Sequence, residues 1–299
     1  MLGAYHIYVS DLLSGDVYSL GAQTDSAARS THGLGLSPDG QSLYVTDVAN
    51  DRLLVFHLSG GRLSDEHAVH VGAQPVHMVA SPDGRYIFVT NFSGASVTVV
   101  DTTTWRVART IATPAAPHSI VISPDGRYAY VACYLGAAVA IIDIARQALV
   151  GAITLPSLAR PYGLSISRDG HYLYTSDNFS GRLFTLDTIT RRALTSTQVG
   201  LRPALIARSP DGAALYVANG ASHNLSILDI ASNPAAPRTI ATTQLEGYPH
   251  GVSVTPDGRY VVVADTVSGA VDIVDALSHQ VIATVTGMKY PNDTLALAA

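Results

Sequence analysis

One short turn, repeated along the chain, constrains its fold more than any other feature. Ser-Pro-Asp-Gly occurs at Ser37, Ser81, Ser123 and Ser209, with Ser-Arg-Asp-Gly at Ser167 and Thr-Pro-Asp-Gly at Thr255. Pro presets one φ, while Asp and Gly tolerate the conformations that complete a reversal, so each copy reads as a tight turn. The flanking runs, such as Ile87-Phe88-Val89 and Val97 to Val100, are rich in β-branched and aromatic residues and too short for helices. They read as strands. Successive copies, counted at Pro38, Pro82, Pro124, Arg168, Pro210 and Pro256, lie 44, 42, 44, 42 and 46 residues apart. A period in the forties with about four strands per unit describes a β-propeller, whose blades bury their faces only against one another.

Six turns are visible, yet the 81 residues that run from Pro256 through both termini to Pro38 amount to two periods. A seventh blade divided between the chain ends accounts for the excess. Its innermost strand is Pro291 to Leu297, its second Tyr5 to Asp11 and its third Gly15 to Leu20. The expectation is an all-β, seven-bladed propeller of four-stranded antiparallel blades. It forms a single domain over residues 1–299, with the ring closed by the C-terminal strand joining the N-terminal blade.

The segments YVTD at Tyr44, FVTN at Phe88, YVAN at Tyr216 and VVAD at Val262 follow the turns and precede ILD- or IVD-like strands. In this they resemble the YVTN-type seven-bladed propellers, and the resemblance covers essentially the whole chain. It implies the fold. Propellers of this kind include lactonases, lyases, haem d1 carriers, surface-layer modules and nucleic-acid binders, so the resemblance implies no single activity.

Composition narrows the classes. The net charge is −5 and Lys289 is the only lysine, which leaves little for the counterion release that drives nucleic-acid binding. No apolar run approaches the ~18 residues of a membrane span. The chain opens LGAYHIYVSD, already strand-like, without the basic region and cleavage site of a secretory leader. These features point to a cytoplasmic protein that meets a small molecule and neither nucleic acid nor membrane; a monomer is expected, though the sequence does not determine the oligomeric state. The lone Cys133 excludes an internal disulfide and a c-type haem attachment.

In an antiparallel meander the start of each inner strand shares a face with the end of the second strand. The inner strands begin Thr31-His32, Pro75-Val76-His77, Pro117-His118, Pro161-Tyr162, Pro203-Ala204, Pro249-His250 and Pro291-Asn292. The fold does not need histidine there, since equivalent positions carry Val76, Tyr162, Ala204 and Asn292. His250, Asn292, His32, His77 and His118 therefore form one polar arc around the inner mouth, opposite an apolar side at Tyr162 and Ala204. A pocket with one reactive and one apolar side suits a small molecule.

In a regular register His32 would lie diagonally beside Asp47, and His250 beside Asp265. A carboxylate next to imidazole fixes the tautomer and raises the basicity of the far nitrogen, as a general base or metal ligand requires. The competing reading is that these carboxylates satisfy backbone donors in the following turns. His118 would likewise adjoin Cys133, a candidate nucleophile or simply a small packed side chain. Arg160 and Arg202 on adjacent blades could fork a carboxylate or phosphate, and Tyr134 and Phe179 could cover a ring. Asn292 and Tyr162 complete the expected substrate-binding set.

The leading expectation is a small-molecule hydrolase or lyase/cyclase. His32, His77, His118 and His250 would act with Asp47 and Asp265, and the lactonase or lyase flavour is what the resemblance implies. The candidate cofactor is one divalent ion held by His32, His118 and His250. A non-catalytic platform binding a ligand or protein at the same mouth is the alternative, and a carrier of non-covalent haem or quinone is a third reading.

Overall fold

A computed structural model describes residues 5–19, 22–24 and 30–298 of the chain. These residues form seven four-stranded antiparallel sheets arranged as the blades of a propeller. Inner strands are Thr31–Leu36, Pro75–Ala80, Pro117–Ile122, Pro161–Ile166, Pro203–Arg208, Pro249–Val254 and Pro291–Ala298. Among the described residues no helix is long and apolar enough to cross a membrane.

The ring closes as the repeat count requires. Pro291–Ala298 pairs antiparallel with Tyr5–Asp11, placing Leu295 opposite Tyr8 and Thr294 opposite Val9. The next strand of this blade is shorter than the sequence suggests. It spans Val17–Ser19 rather than Gly15 to Leu20, because Gly15, at φ 76°, belongs to the preceding turn. Leu20 lies outside the described residues.

The repeated turn owes its composition to a fixed set of hydrogen bonds. In each of the five serine copies the hydroxyl donates to the Asp carboxylate two residues on, as from Ser123 to Asp125 at 2.5 Å. The same Asp oxygen accepts a backbone N–H, from Arg127 in that copy, and the hydroxyl oxygen accepts the N–H that opens the second strand, from Tyr128. The glycines sit at φ of 70–80°, where a side chain would be strained. Between blades, the apolar faces interlock: Phe88, Val97 and Val99 of one pack with Ile120, Val131 and Ile142 of the next. Burying each such side chain is worth about 1.5–3 kcal/mol, so every blade depends on two neighbours.

Candidate functional site: an axial cavity lined by histidine and tyrosine

Every inner strand carries one extra residue at its start. Thr31 opposes Asp47 but Leu34 opposes Val45, and Pro75 opposes Asn91 but Met78 opposes Val89. The same irregularity falls at Pro117, Pro161, Pro203, Pro249 and Pro291. A bulge of this kind re-aims side chains out of the ladder. His32, His77, His118, Tyr162, His250 and Asn292 all lie in these bulges.

The backbone groups freed by four of the bulges are taken up by a hydroxyl on the second strand. Thr90 accepts the His77 N–H at 3.1 Å and donates to the His118 carbonyl of the next blade at 2.6 Å. Thr46 joins Gly33 to Val76, Ser176 joins Gly163 to Ala204, and Ser10 joins Asp293 to His32 in the same way. This is the physical role of the Thr in YVTD and FVTN. It couples adjacent inner strands and sets the height at which the histidines project.

Four imidazoles converge near the axis. The His32 ring centroid is 5.0 Å from His77, 5.5 Å from His118 and 5.9 Å from His250, and His77 is 4.9 Å from His118. All four are buried. Burial lowers the pKa of each, with the neighbouring imidazoles adding to the effect at His32, His77 and His118, so the rings are neutral near pH 7.

His250 has a defined tautomer. Its Nδ1 lies 2.9 Å from the Asn292 backbone carbonyl, which can only accept, so Nδ1 carries the proton. The lone pair is then on Nε2, which accepts from the Tyr162 hydroxyl at 2.9 Å. The Tyr162 ring also stacks on His118, with centroids 3.7 Å apart and planes inclined by 32°.

Above these rings opens a cavity of about 360 Å³, lined by His32, His250, Asn292, Tyr162, Tyr134, Tyr248, Tyr290, Asn178, Thr266, Ala204 and Leu12. That volume falls within the range of small-molecule sites. His32, His250 and Asn292 line it as the sequence suggests, and tyrosine supplies most of the remainder.

The expected histidine–carboxylate dyads do not form. Thr31, not His32, is the register partner of Asp47, and the His32 ring lies instead among those of His77, His118 and His250. Asp47 instead binds Arg52 at 2.6 Å and Asn50 at 2.8 Å. Pro249 likewise faces Asp265, whose carboxylate accepts the Gly247 N–H at 2.7 Å, while both nitrogens of His250 are engaged elsewhere. Asp265 thus satisfies a backbone donor, whereas Asp47 is held by the side chains of Arg52 and Asn50. In the same way Pro117, not His118, faces Cys133, which is fully buried in an apolar cluster, its thiol pushed up to about 12 by burial. It is a packing residue.

Arg160 and Arg202 are not among the residues that line the cavity. Arg160 donates from Nη1 to its neighbour Ala159's carbonyl at 3.2 Å, and the exposed Arg202 donates to Asn178 at 3.2 Å. Phe179 is 64% exposed and does not line the cavity.

Asp293 is a site residue that the sequence reading missed. It is buried on the innermost strand, its carboxyl pushed up to about 7 by desolvation, and one oxygen lies 3.8 Å from His77 Nδ1. The pair spans two blades by reaching over Gly33 on the blade between them. A Cβ at Gly33 would stand 2.3 Å from the Val76 carbonyl oxygen and 3.0 Å from His77 Nδ1. The comparison that singled out the histidines would have found it, since its counterparts include Gly33, Ser119, Gly163, Leu205 and Gly251.

A seven-bladed ring with an axial cavity of this kind defines a class of propeller, and sequence comparison narrows it. Residues 15–186 and 178–281 match the family described as lactonase, seven-bladed β-propeller, and the chain belongs to that family. A 73-residue stretch is 37% identical to the 6-phosphogluconolactonase of Enterobacter sp. (strain 638), covering 23% of this chain and 22% of that protein. Among solved structures, the periplasmic gluconolactonase of Pseudomonas aeruginosa superposes with a TM-score of 0.83 at 22% identity, over 98% of this chain and 99% of that one. A chain of Kuenenia stuttgartiensis hydrazine synthase superposes with a TM-score of 0.79 at 22% identity, over 92% of each. These superpositions concern the fold.

Proposed function

We propose that this protein hydrolyses a neutral, sugar-sized lactone in the axial cavity. The observation that carries the reading is the His250–Tyr162 pair at the cavity wall, with Nδ1 of His250 tied to the Asn292 carbonyl and Nε2 left as an acceptor. Membership of the lactonase propeller family supports the reaction class.

In this reading a water enters between Nε2 and the Tyr162 hydroxyl. His250 takes its proton as the oxygen attacks the lactone carbonyl carbon. The freed Tyr162 O–H donates to the developing oxyanion. Collapse of the tetrahedral intermediate breaks the ring C–O bond, and the imidazolium returns its proton to the leaving alkoxide, giving the hydroxy acid. Tyr134, Tyr248 and Tyr290 offer ring faces to the sugar, and the amides of Asn178 and Asn292 offer polar contacts.

The lining favours an uncharged substrate. Among the described residues that line the cavity there is no Lys, Arg, Asp or Glu, and a phosphate held without a cationic partner would be poorly bound. The test is acid release from glucono-δ-lactone and from its 6-phosphate, followed by pH-stat above the spontaneous rate. The unphosphorylated lactone should be the better substrate, and His250→Asn should lower kcat by about 10²-fold or more. Because burial lowers the His250 pKa, the base stays neutral and activity should persist below pH 6.5 before falling in acid. Preference for the phosphate, or full activity in a folded His250→Asn variant, would refute the reading.

A further inference from the structure

Three of the four axial histidines take no part in the proposed hydrolysis, and their arrangement has its own chemistry. We propose that His32, His77 and His118 form a three-nitrogen site for an imidazole-preferring divalent ion such as zinc, at the inner end of the axial cavity.

One nitrogen from each ring lies within 4.8 Å of the other two. The ring planes are mutually inclined, by 89° for His32 and His77, 78° for His32 and His118, and 65° for His77 and His118. Ligands directed at a common point are inclined in this way, as are rings packed edge to face.

Burial makes the same point independently. His32 Nδ1, His77 Nε2 and His118 Nδ1 are buried without a hydrogen-bond partner among the described residues. Such groups are ordinarily paired, because each one left alone costs about 1–3 kcal/mol. An ion held among the three rings would give such buried nitrogens a partner.

Each ring also has an oxygen beside it, and for His77 that oxygen lies on the side away from the unpartnered Nε2. His77 Nδ1 faces the Asp293 carboxylate at 3.8 Å, the Val76 carbonyl lies against His32, and the Tyr162 carbonyl lies against His118. Histidine ligands characteristically have a carboxylate or carbonyl behind them that fixes the ring and strengthens the ligating nitrogen. Asp293 is itself held by the backbone N–H groups of Leu34 and Thr294. Gly33 leaves the space through which it meets His77.

Histidine nitrogens bind zinc at about 2.0–2.1 Å, which in a tetrahedron sets them roughly 3.4 Å apart. The three rings therefore draw inward by about an ångström as the ion binds. A donor set of three imidazoles selects zinc, cobalt, nickel or copper over calcium and magnesium, which prefer oxygen. Of the three, His32 also lines the cavity. His250 lies outside this cluster, with its Nδ1 tied to the Asn292 carbonyl. The ion therefore sits with His77 where the sequence suggested His250.

The experiment is equilibrium dialysis of tag-free, chelator-stripped protein against zinc, and against cobalt for its visible spectrum. One equivalent should bind, with the intense absorption of tetrahedral cobalt. His77→Ser and His118→Asn introduce residues found at equivalent positions of other blades, Ser119 and Asn292. Each should abolish stoichiometric binding, and Asp293→Asn should weaken it by about 10–100-fold. His250→Asn should retain the full equivalent, which separates this site from the hydrolysis. X-ray absorption of the zinc-loaded native protein, which needs no variant to fold, should show three imidazole nitrogens at about 2.0–2.1 Å. Absence of stoichiometric binding, or binding that survives His77→Ser or His118→Asn, would overturn the proposal, as would an oxygen-dominated shell.

Discussion

Replacing Thr90 by valine removes one hydroxyl, leaves the side-chain volume nearly unchanged, and tests how the propeller sets the height of its histidines. The Thr90 side chain is fully buried. Its oxygen accepts from the His77 N–H and donates to the His118 carbonyl, so the substitution leaves one donor and one acceptor buried without partners. At about 1–3 kcal/mol for each such group, the combined cost is about 2–4 kcal/mol once partial relaxation is allowed for. An unfolding entropy of about 2.1 cal/mol/K per residue gives roughly 0.6 kcal/mol/K for a chain of this length, so Tm should fall by about 3–6 °C. Calorimetry against a Thr110→Val control reads this directly. Thr110 is exposed on the outer strand of the same blade, and its substitution should stay within about 0.5 kcal/mol of the parent. A Thr90→Val protein that melts with the parent would show that the hydroxyl bridge carries no net stability, and the explanation given for Thr in the repeat would fail.

Deleting residues 291–299 strips the inner strand from the blade that Tyr5–Asp11 continues, and should abolish the single cooperative thermal transition; retention of the parent melt would contradict closure by that strand. The turn aspartates bear on acid stability. The Ser123 hydroxyl, followed by the Arg127 N–H, holds the Asp125 carboxyl below its ordinary value of 3.8. A depressed folded pKa contributes stability that is complete above the unfolded value and is lost as pH falls through the folded one. The stability difference between the parent and Asp125→Asn should therefore be constant from neutral pH to about pH 5, and should shrink below about pH 4. A difference unchanged down to pH 2 would refute that assignment.

The blade count, the closure and the histidine arc are legible in the sequence because they depend on local chemistry that recurs at a fixed period. Pro-Asp-Gly makes its turn from its own atoms, and a position occupied by Val76 or Ala204 in some blades has no structural need of His118 or His250. The side-chain pairings are less legible because each inner strand carries an extra residue. That residue reverses the parity on which the His32–Asp47 and His250–Asp265 pairings rested. Other contacts cross blades between residues far apart in the chain: His77 meets Asp293, Tyr162 meets His250, and Ser10 meets His32. No spacing rule within one repeat contains such information. The Gly33 gap that admits Asp293 is visible only when three neighbouring inner strands are seen together.

Location of the bound product tests the central claim most directly. Crystals soaked with the hydroxy acid should show it in the axial cavity, with its carboxylate near the Tyr162 hydroxyl and His250 Nε2, and its chain across the faces of Tyr134 or Tyr248. A second depression of about 630 Å³ lies on the opposite, turn-bearing face, lined by Ser209, Asp211, Tyr216, Ile227, Asp257 and Leu277. Product density there, with none beside His250, would contradict the assignment of the axial cavity as the active site.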